Sequence, residues 1–471
     1  MKIAVTAMSL LLSLIVPGDS HPQQSRASGV PIASVSVAET PPMGWNSWDS
    51  YGLTINEENF RANVLVQASR LKPFGWTYAV IDEGWFLRNP EDRPHPELLQ
   101  YELDPFGRYI PVPARFPSAT ISPLASPDAS QNHGFAEISR WVHAQGLKFG
   151  IHIVRGIPRE SVRRNLPIEH SQFRASDVAD MTDACPWDPT NWGVKDDAAG
   201  QAWYDSLLRQ YATWGVDFLK VDCIADHPYK LSEIKQIRLA IQRSGRPIIL
   251  SLSPGPTALT HAAEVGSLAE MWRISDDIWD VWQSEATLFP SVKSQFEPLA
   301  AWAAYAQPGK WPDADMLPLG QLRPTPDVGP GPRKTRLTLE EQRTMLTLWS
   351  MARSPLILGA NLTMLDAETL KLITNENLLR IDQTATASRQ AWRIRDLIAW
   401  TADLPQGEHA LAVFNLGDVS IRVTEKLTTF GLAAGAWRTH ALWSPGKEAT
   451  MTAVDSTIPP HGCLLLFLNR H

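Results

Sequence analysis

The chain has 471 residues, 44% hydrophobic and 20% charged, the proportions of an ordinary globular protein with room for one large domain and a smaller one. Its formal net charge of -7 excludes the broad basic surface that nucleic-acid binding needs. Tryptophan is frequent, at 19 residues, and an indole face packs on a sugar ring as readily as in a core.

Residues 1–20 predict an export signal: Lys2 carries a positive charge, Met8 to Val16 is mostly apolar, and small residues follow at Gly18 and Ser20. The apolar run is too short to span a bilayer and no other segment is long enough, so a secreted or periplasmic protein without a membrane domain is expected. Residues 21–39 read as a flexible leader rich in Ser, Pro, Gln and Ala.

From Pro42 onward, helical and strand patterns alternate. A helix is predicted from Asn56 to about Leu71, then a strand at Tyr78-Ala79-Val80-Ile81 that ends on Asp82 and Glu83. Residues 87 to about 130 are Pro-rich, aperiodic and long for a loop. A helix near Phe135 to Gln145 precedes a strand from Leu147 to Ile153, and a second insertion runs from 156 to about 195. Trp203, Leu207, Tyr211 and Trp214 mark one face of a helix that Gly215 stops, before the strand Phe218-Leu219-Lys220-Val221-Asp222. Four more strand ends follow near Ser253, Asp277, Asp315 and Asn361, separated by helical stretches at 231–244, 258–269, 298–305 and 341–352. About eight strands alternating with helices over residues 40–385 predict a (β/α)8 barrel. A doubly wound open sheet fits less well, because no GxGxxG follows the first strand. After about 385 the helical periods fade, and alternating runs with turn residues predict a C-terminal antiparallel β-sandwich over 386–471.

In such a barrel, chemistry sits at the C-terminal ends of the strands. There the sequence collects Asp82, Glu83, Asp222, Asp276, Asp277, Asp313 and Asp315, with Trp48, His152, Lys220 and Arg273. Carboxylates that accept hydrogen bonds from hydroxyls, together with indole faces, suit a sugar, and two opposed carboxyls can split a glycosidic bond. Acid clusters also hold Mg²⁺ or Ca²⁺, but Lys220 beside Asp222 and Arg273 near Asp277 would compete with a metal, so no metal is expected for catalysis and no organic cofactor is implied. Asp313 reads as a cap on the turn that carries Asp315. Three cysteines allow three pairings. A Cys185–Cys223 bond would brace the second insertion over the strand end at Asp222, leaving Cys463 as a buried thiol in an apolar run.

The stretches MGWNSWDSYG, AVIDEGW, LKFGIH, FLKVDC, WRISDDIWDVW, WPDADMLPLG and SPLILGANL, in order from about 40 to 385, resemble the successive strand ends of glycoside hydrolase family 27, the α-galactosidase (melibiase) family. The resemblance implies retaining hydrolysis through a covalent glycosyl-aspartate, with Asp222 as nucleophile and Asp277 as general acid/base, its spacing from Arg273 distinguishing it from Asp276. It implies sugar binding by Trp48, Asp82, Glu83, His152, Lys220, Arg273 and Asp315; His152 stands where better-known members carry Tyr.

Two positions depart from the family pattern. Typical α-galactosidases carry two adjacent Asp at the second strand end, gripping O4 and O6, where this chain has Asp82-Glu83; they carry Cys-Glu-Trp after the fifth strand, where it has Ser253-Pro254-Gly255. The extra methylene of Glu83 reaches towards the space of a C6 hydroxymethyl, and the Glu that would read the 2-position is missing. β-L-Arabinopyranose is α-D-galactopyranose without its C6 group. The family default is therefore release of terminal α-D-galactose, the alternative is a β-L-arabinopyranosidase, and a non-catalytic sugar-binding barrel is disfavoured by the presence of both acids. The expected partner is a carbohydrate, and the long insertions are expected to shape subsites beyond its first sugar. The sequence carries no signal for oligomeric state.

Overall fold

The structure, a computed structural model, describes residues 37–92, 95–120, 133–284, 289–323, 331–443 and 448–470. The expected export signal and the leader as far as residue 36 lie outside these residues, as do residues 121–130 of the first insertion.

Eight parallel strands form the barrel: β1 (Met43–Asn46), β2 (Tyr78–Ile81), β3 (Lys148–Val154), β4 (Phe218–Asp222), β5 (Ile249–Leu252), β6 (Met271–Arg273), β7 (Trp311–Asp313) and β8 (Leu356–Leu358). Seven of them pair in sequence order, β8 pairs with β1, and a parallel bridge between Leu317 and Leu358 closes the ring. The helices between them follow the expected periods: Ala198–Trp214 buries Trp203, Leu207, Tyr211 and Trp214, and Gly215 ends it in the left-handed conformation (φ 79°) that spares glycine a Cβ clash. The helix expected over 56–71 is capped by the Asn56 side chain and runs from Glu57 to Val66, passing into a π-turn at Gln67–Leu71.

Strand periodicity determines what fills the barrel. Tyr78, Val80, Phe218, Ile249, Met271, Trp311 and Ile357 point inward and plug its lower half. Ala38 packs into the same plug, 4% exposed, and its carbonyl accepts from the Trp311 indole at 2.8 Å, so the leader expected to reach residue 39 is already ordered there by burial. Two residues beyond Val80, Phe218, Ile249, Met271 and Trp311 stand Asp82, Lys220, Ser251, Arg273 and Asp313, so the inward side chains become polar there. Trp45, Trp76, Trp85, Trp203, Trp272, Trp311, Trp349 and Trp400 are fully buried, so most of the tryptophan surplus serves the core.

The second insertion folds into its own antiparallel sheet, in which Asn191–Val194 lies between Ile157–Pro158 and Ala179–Ala184. Two helices not anticipated from the sequence, Ala367–Ile373 and Glu376–Thr384, lead out of the barrel. The C-terminal part is antiparallel, as expected: a six-stranded sheet from Thr386–Ile394 to Ala449–Met451 packs its apolar face, including Leu411, Val413 and Leu466, against Val423, Val454 and Ile458 of a two-stranded sheet. It docks on the barrel helix Leu339–Ala352, where Trp443 donates to Thr347 at 2.9 Å and Thr344 to the His461 carbonyl at 2.7 Å. Cys463 is a free, buried thiol within this contact, and burial pushes it up to about 11. Among the described residues no helix is long and apolar enough to cross a membrane.

Candidate active site

The polar layer above the plug opens into a cavity of about 530 Å³, counting its mouth, at the C-terminal ends of the strands. Trp48, Asp82, Glu83, Lys220, Asp222, Arg273, Asp277 and Asp315 line it, so eight of the nine expected site residues share one wall-to-wall space. His152 is the exception. It lies behind Asp222, 1% exposed, and reaches the site through that carboxylate.

One side of the cavity is built on β2, β3 and β4. Register places His152 beside Lys220 and Val154 beside Asp222. Lys220 Nζ does not bond its strand neighbour; it crosses to Asp82 at 2.9 Å, where Asn46 also donates at 2.6 Å. Burial opposes charge on Asp82, but Lys220, His152, the Glu83 N–H and Asn46 outweigh it and hold the carboxyl well below the usual range. Asp222 follows the same logic. Burial raises it, and a 3.4 Å contact with His152 Nε2, the His152 and Lys220 charges and the Cys223 N–H together bring it below its ordinary value. An ionised, partly exposed Asp222 (side chain 18% open) is what a carboxylate nucleophile requires.

The backbone beneath Asp222 is tied down. Cys223 holds a left-handed conformation (φ 61°) and is bonded to Cys185, with Cα atoms 5.9 Å apart, the pairing the sequence favoured. Arg155, fully buried, donates from Nε to the Cys223 carbonyl at 2.6 Å and from its backbone N–H to the Asp222 carbonyl at 3.1 Å, while Asp183 and Glu233 balance its charge at 2.9 and 2.7 Å. Arg155 was not singled out from the sequence; its available signal was a cation three residues after His152.

His152 supplies a prediction. Burial lowers its basicity, but Asp82 and Asp222 raise it more, so it is a stronger base than an ordinary imidazole. Removing the imidazole leaves Asp222 less stabilised as an anion. A His152→Phe variant is therefore expected to show the acidic limb of its kcat/KM profile at higher pH than wild type; an unmoved limb would mean that His152 does not tune Asp222.

The opposite side is built on β6 and β7, where Arg273 and Asp313 are in register. Arg273 contacts Asp315 at 2.8 Å and Asp277 at 3.3 Å. Burial pushes the Asp315 carboxyl up to about 7; Arg273 opposes this, and the charges of Asp277 and Asp313 add to it. Asp277, its side chain 46% exposed, is the most open carboxylate of the group and lines the cavity. Asp276 instead faces His227 at 3.2 Å and lies outside the cavity wall. Asp313 accepts from the Asp315 N–H at 2.9 Å, the capping role expected of it.

Some wall residues were not singled out from the sequence: Asp49, Trp187, Ile278, Trp279 and Met316. Asp49 is 3% exposed, its Oδ2 has no hydrogen-bond partner, and it fits only because Gly359 has no Cβ, which would lie 1.9 Å from that oxygen. Its position directly after Trp48 was the available signal. Burial, reinforced by the nearby carboxylates, raises it well above an ordinary Asp. Below the unfolded-state value, about 4, both states hold the proton; above it only the unfolded chain ionises freely, so the wild type loses stability as pH rises towards the folded value. Asp49→Asn removes that loss. The variant is expected to melt above wild type at pH 7 to 8 and to lose this advantage by pH 4; an offset independent of pH would contradict the assignment.

Residues 199–384 match the family described as alpha galactosidase A, and residues 394–468 match the alpha galactosidase C-terminal beta sandwich domain. The chain is similar to the crystal structure of a GH27 β-L-arabinopyranosidase from Geobacillus stearothermophilus, with 39% identity, a TM-score of 0.84, and coverage of 92% of this chain and 97% of the other. A variant of that enzyme in complex with arabinose gives 38% identity, a TM-score of 0.84 and coverage of 92% and 98%. An α-galactosidase of Oryza sativa subsp. japonica is 25% identical over 438 residues, covering 92% of this chain and 85% of the relative.

Proposed function

Since the chain belongs to glycoside hydrolase family 27 and is therefore a glycosidase, we propose that it removes terminal β-L-arabinopyranosyl residues with retention, through Asp222 and Asp277. Asp222 attacks the anomeric carbon and forms a glycosyl ester as the anomeric C–O bond breaks. Asp277 gives its proton to the departing oxygen, then takes one from the water that attacks the ester, releasing the sugar and restoring both carboxyls. Asp82 and Lys220, locked together at 2.9 Å, present a carboxylate and an ammonium to ring hydroxyls, and Trp48 offers an apolar face.

The observation that carries the pentose reading is Glu83. It is 9% exposed and lines the same wall as Asp82, where its added methylene takes up room that a C6 hydroxymethyl would need. Pro254 stands where the family pattern has a Glu, so this part of the wall offers only the hydroxyl of Ser253, and the turn behind it is held by the Gly255 N–H donating to the Ser275 carbonyl at 3.0 Å. Similarity to an arabinopyranosidase at 39% identity supports the same choice. The second reading, α-galactosidase, draws on the curated relatives of that activity at about 25% identity and on retention of Trp48, Asp82, Lys220 and Arg273. The deciding experiment is paired kcat/KM on p-nitrophenyl β-L-arabinopyranoside and p-nitrophenyl α-D-galactopyranoside. A preference of about tenfold or more for the arabinoside is expected; a galactoside preference overturns the proposal. Export remains part of the proposal, supported by the N-terminal pattern and by a disulfide beside the site.

A further inference from the structure

The reaction above uses the floor of the cavity and leaves one wall without a task. Trp187 lines that wall and is 39% exposed, in a chain that buries most of its indoles. It sits on the second insertion, two residues after Cys185, whose disulfide ties the loop to the residue following Asp222. On its other side it packs edge-to-face with His227, ring centroids 5.8 Å apart at 86°, and His227 contacts Asp276, the neighbour of Asp277. The exposed indole is thus fastened both to the strand end that carries the nucleophile and to the one that carries the acid. Such anchoring lowers the ordering cost of binding to its ring.

Asp222, Asp277 and Trp187 line the same cavity, so a glycoside whose anomeric carbon faces Asp222 and whose leaving oxygen faces Asp277 has its next group within the space that Trp187 borders. We propose that Trp187 is the stacking platform of the +1 subsite and takes the pyranose ring bearing the departing oxygen, so that the substrate is a glycoside whose aglycone is itself a sugar. The axial C–H groups of a pyranose form an apolar face that matches an indole. This rests on the glycosidase reading but not on which terminal sugar is preferred.

The test compares Trp187→Ala and Trp187→Phe with wild type on two substrates sharing the terminal sugar that wild type prefers: a glycosyl fluoride, which has no +1 ring, and a disaccharide. Trp187→Ala is expected to lose about tenfold in kcat/KM on the disaccharide, corresponding to roughly 1.4 kcal/mol of stacking, and to stay within about twofold on the fluoride. Trp187→Phe is expected to recover most of the disaccharide rate. The fluoride reaction doubles as a check that each variant is folded. Equal losses on both substrates, or an unchanged disaccharide rate in a variant active on the fluoride, would overturn the proposal. Failure of the pentose assignment appears separately, as a hexose preference in wild type, and leaves this comparison intact.

Discussion

Asp222→Gly is expected to lower kcat by about 10⁴-fold or more on any glycoside the wild type cleaves, because no glycosyl ester can form without the carboxylate. The glycine variant leaves a space where the carboxylate stood, beside His152 and Lys220. A small anion such as azide can enter that space and attack the anomeric carbon directly, giving a glycosyl azide of inverted configuration. Rescue by azide, with that stereochemistry shown by NMR, distinguishes a missing nucleophile from a damaged fold. A variant that keeps more than a hundredth of wild-type kcat without added anion would remove Asp222 from the role. Because Arg155 and the Cys185–Cys223 bond hold the backbone independently of the Asp222 side chain, the fold around the site is expected to survive the change.

Glu83→Asp is expected to raise the galactoside-to-arabinoside ratio of kcat/KM by about tenfold to a hundredfold. Steric discrimination over one methylene in a closed pocket is typically 1–3 kcal/mol, and that span sets the range. The shortened side chain vacates the space of a hydroxymethyl and brings its carboxylate within reach of O6 instead of overlapping it. Asp82, gripped by Lys220 and Asn46, keeps its position, so arabinoside activity should fall only a few-fold. The measurement is the same pair of p-nitrophenyl glycosides. An unchanged ratio would show that Glu83 does not sense the C6 group, and the pentose preference would then have to come from the Ser253 side of the cavity.

The elements of the barrel were legible in the sequence, and so was the gathering of Asp222 and Asp277 at its mouth. Strands of three to seven residues alternating with helices leave little architectural choice, and a side-chain period of two sends Phe218, Lys220 and Asp222 to the same interior face, apolar below and polar above. The cysteine pairing was legible for a similar reason: Cys223 follows the strand end, and Cys185 is the cysteine on the insertion that precedes it.

Partnerships across the barrel were not legible. Lys220 stands two residues from Asp222 in the chain, yet its ammonium bonds Asp82, and the group in direct contact with Asp222 is His152, from the adjoining strand. Register between β3 and β4 decides this, and no local pattern encodes register. Asp276 and Asp277 are equivalent by composition, and the family resemblance favoured Asp277 only by its spacing from Arg273; the course of the chain after β6 turns Asp276 to His227 and Asp277 into the cavity beside Arg273. Asp49 and Trp187 reached the site by burial against Gly359 and by the disulfide-tied insertion, both contacts between residues far apart in sequence. The sequence by itself therefore determined the barrel and the strand ends that carry the acids, because both follow from local periodicity. The tertiary structure decided which acid is paired, which is open and which indole is left exposed, because those depend on neighbours that only the closed barrel brings together.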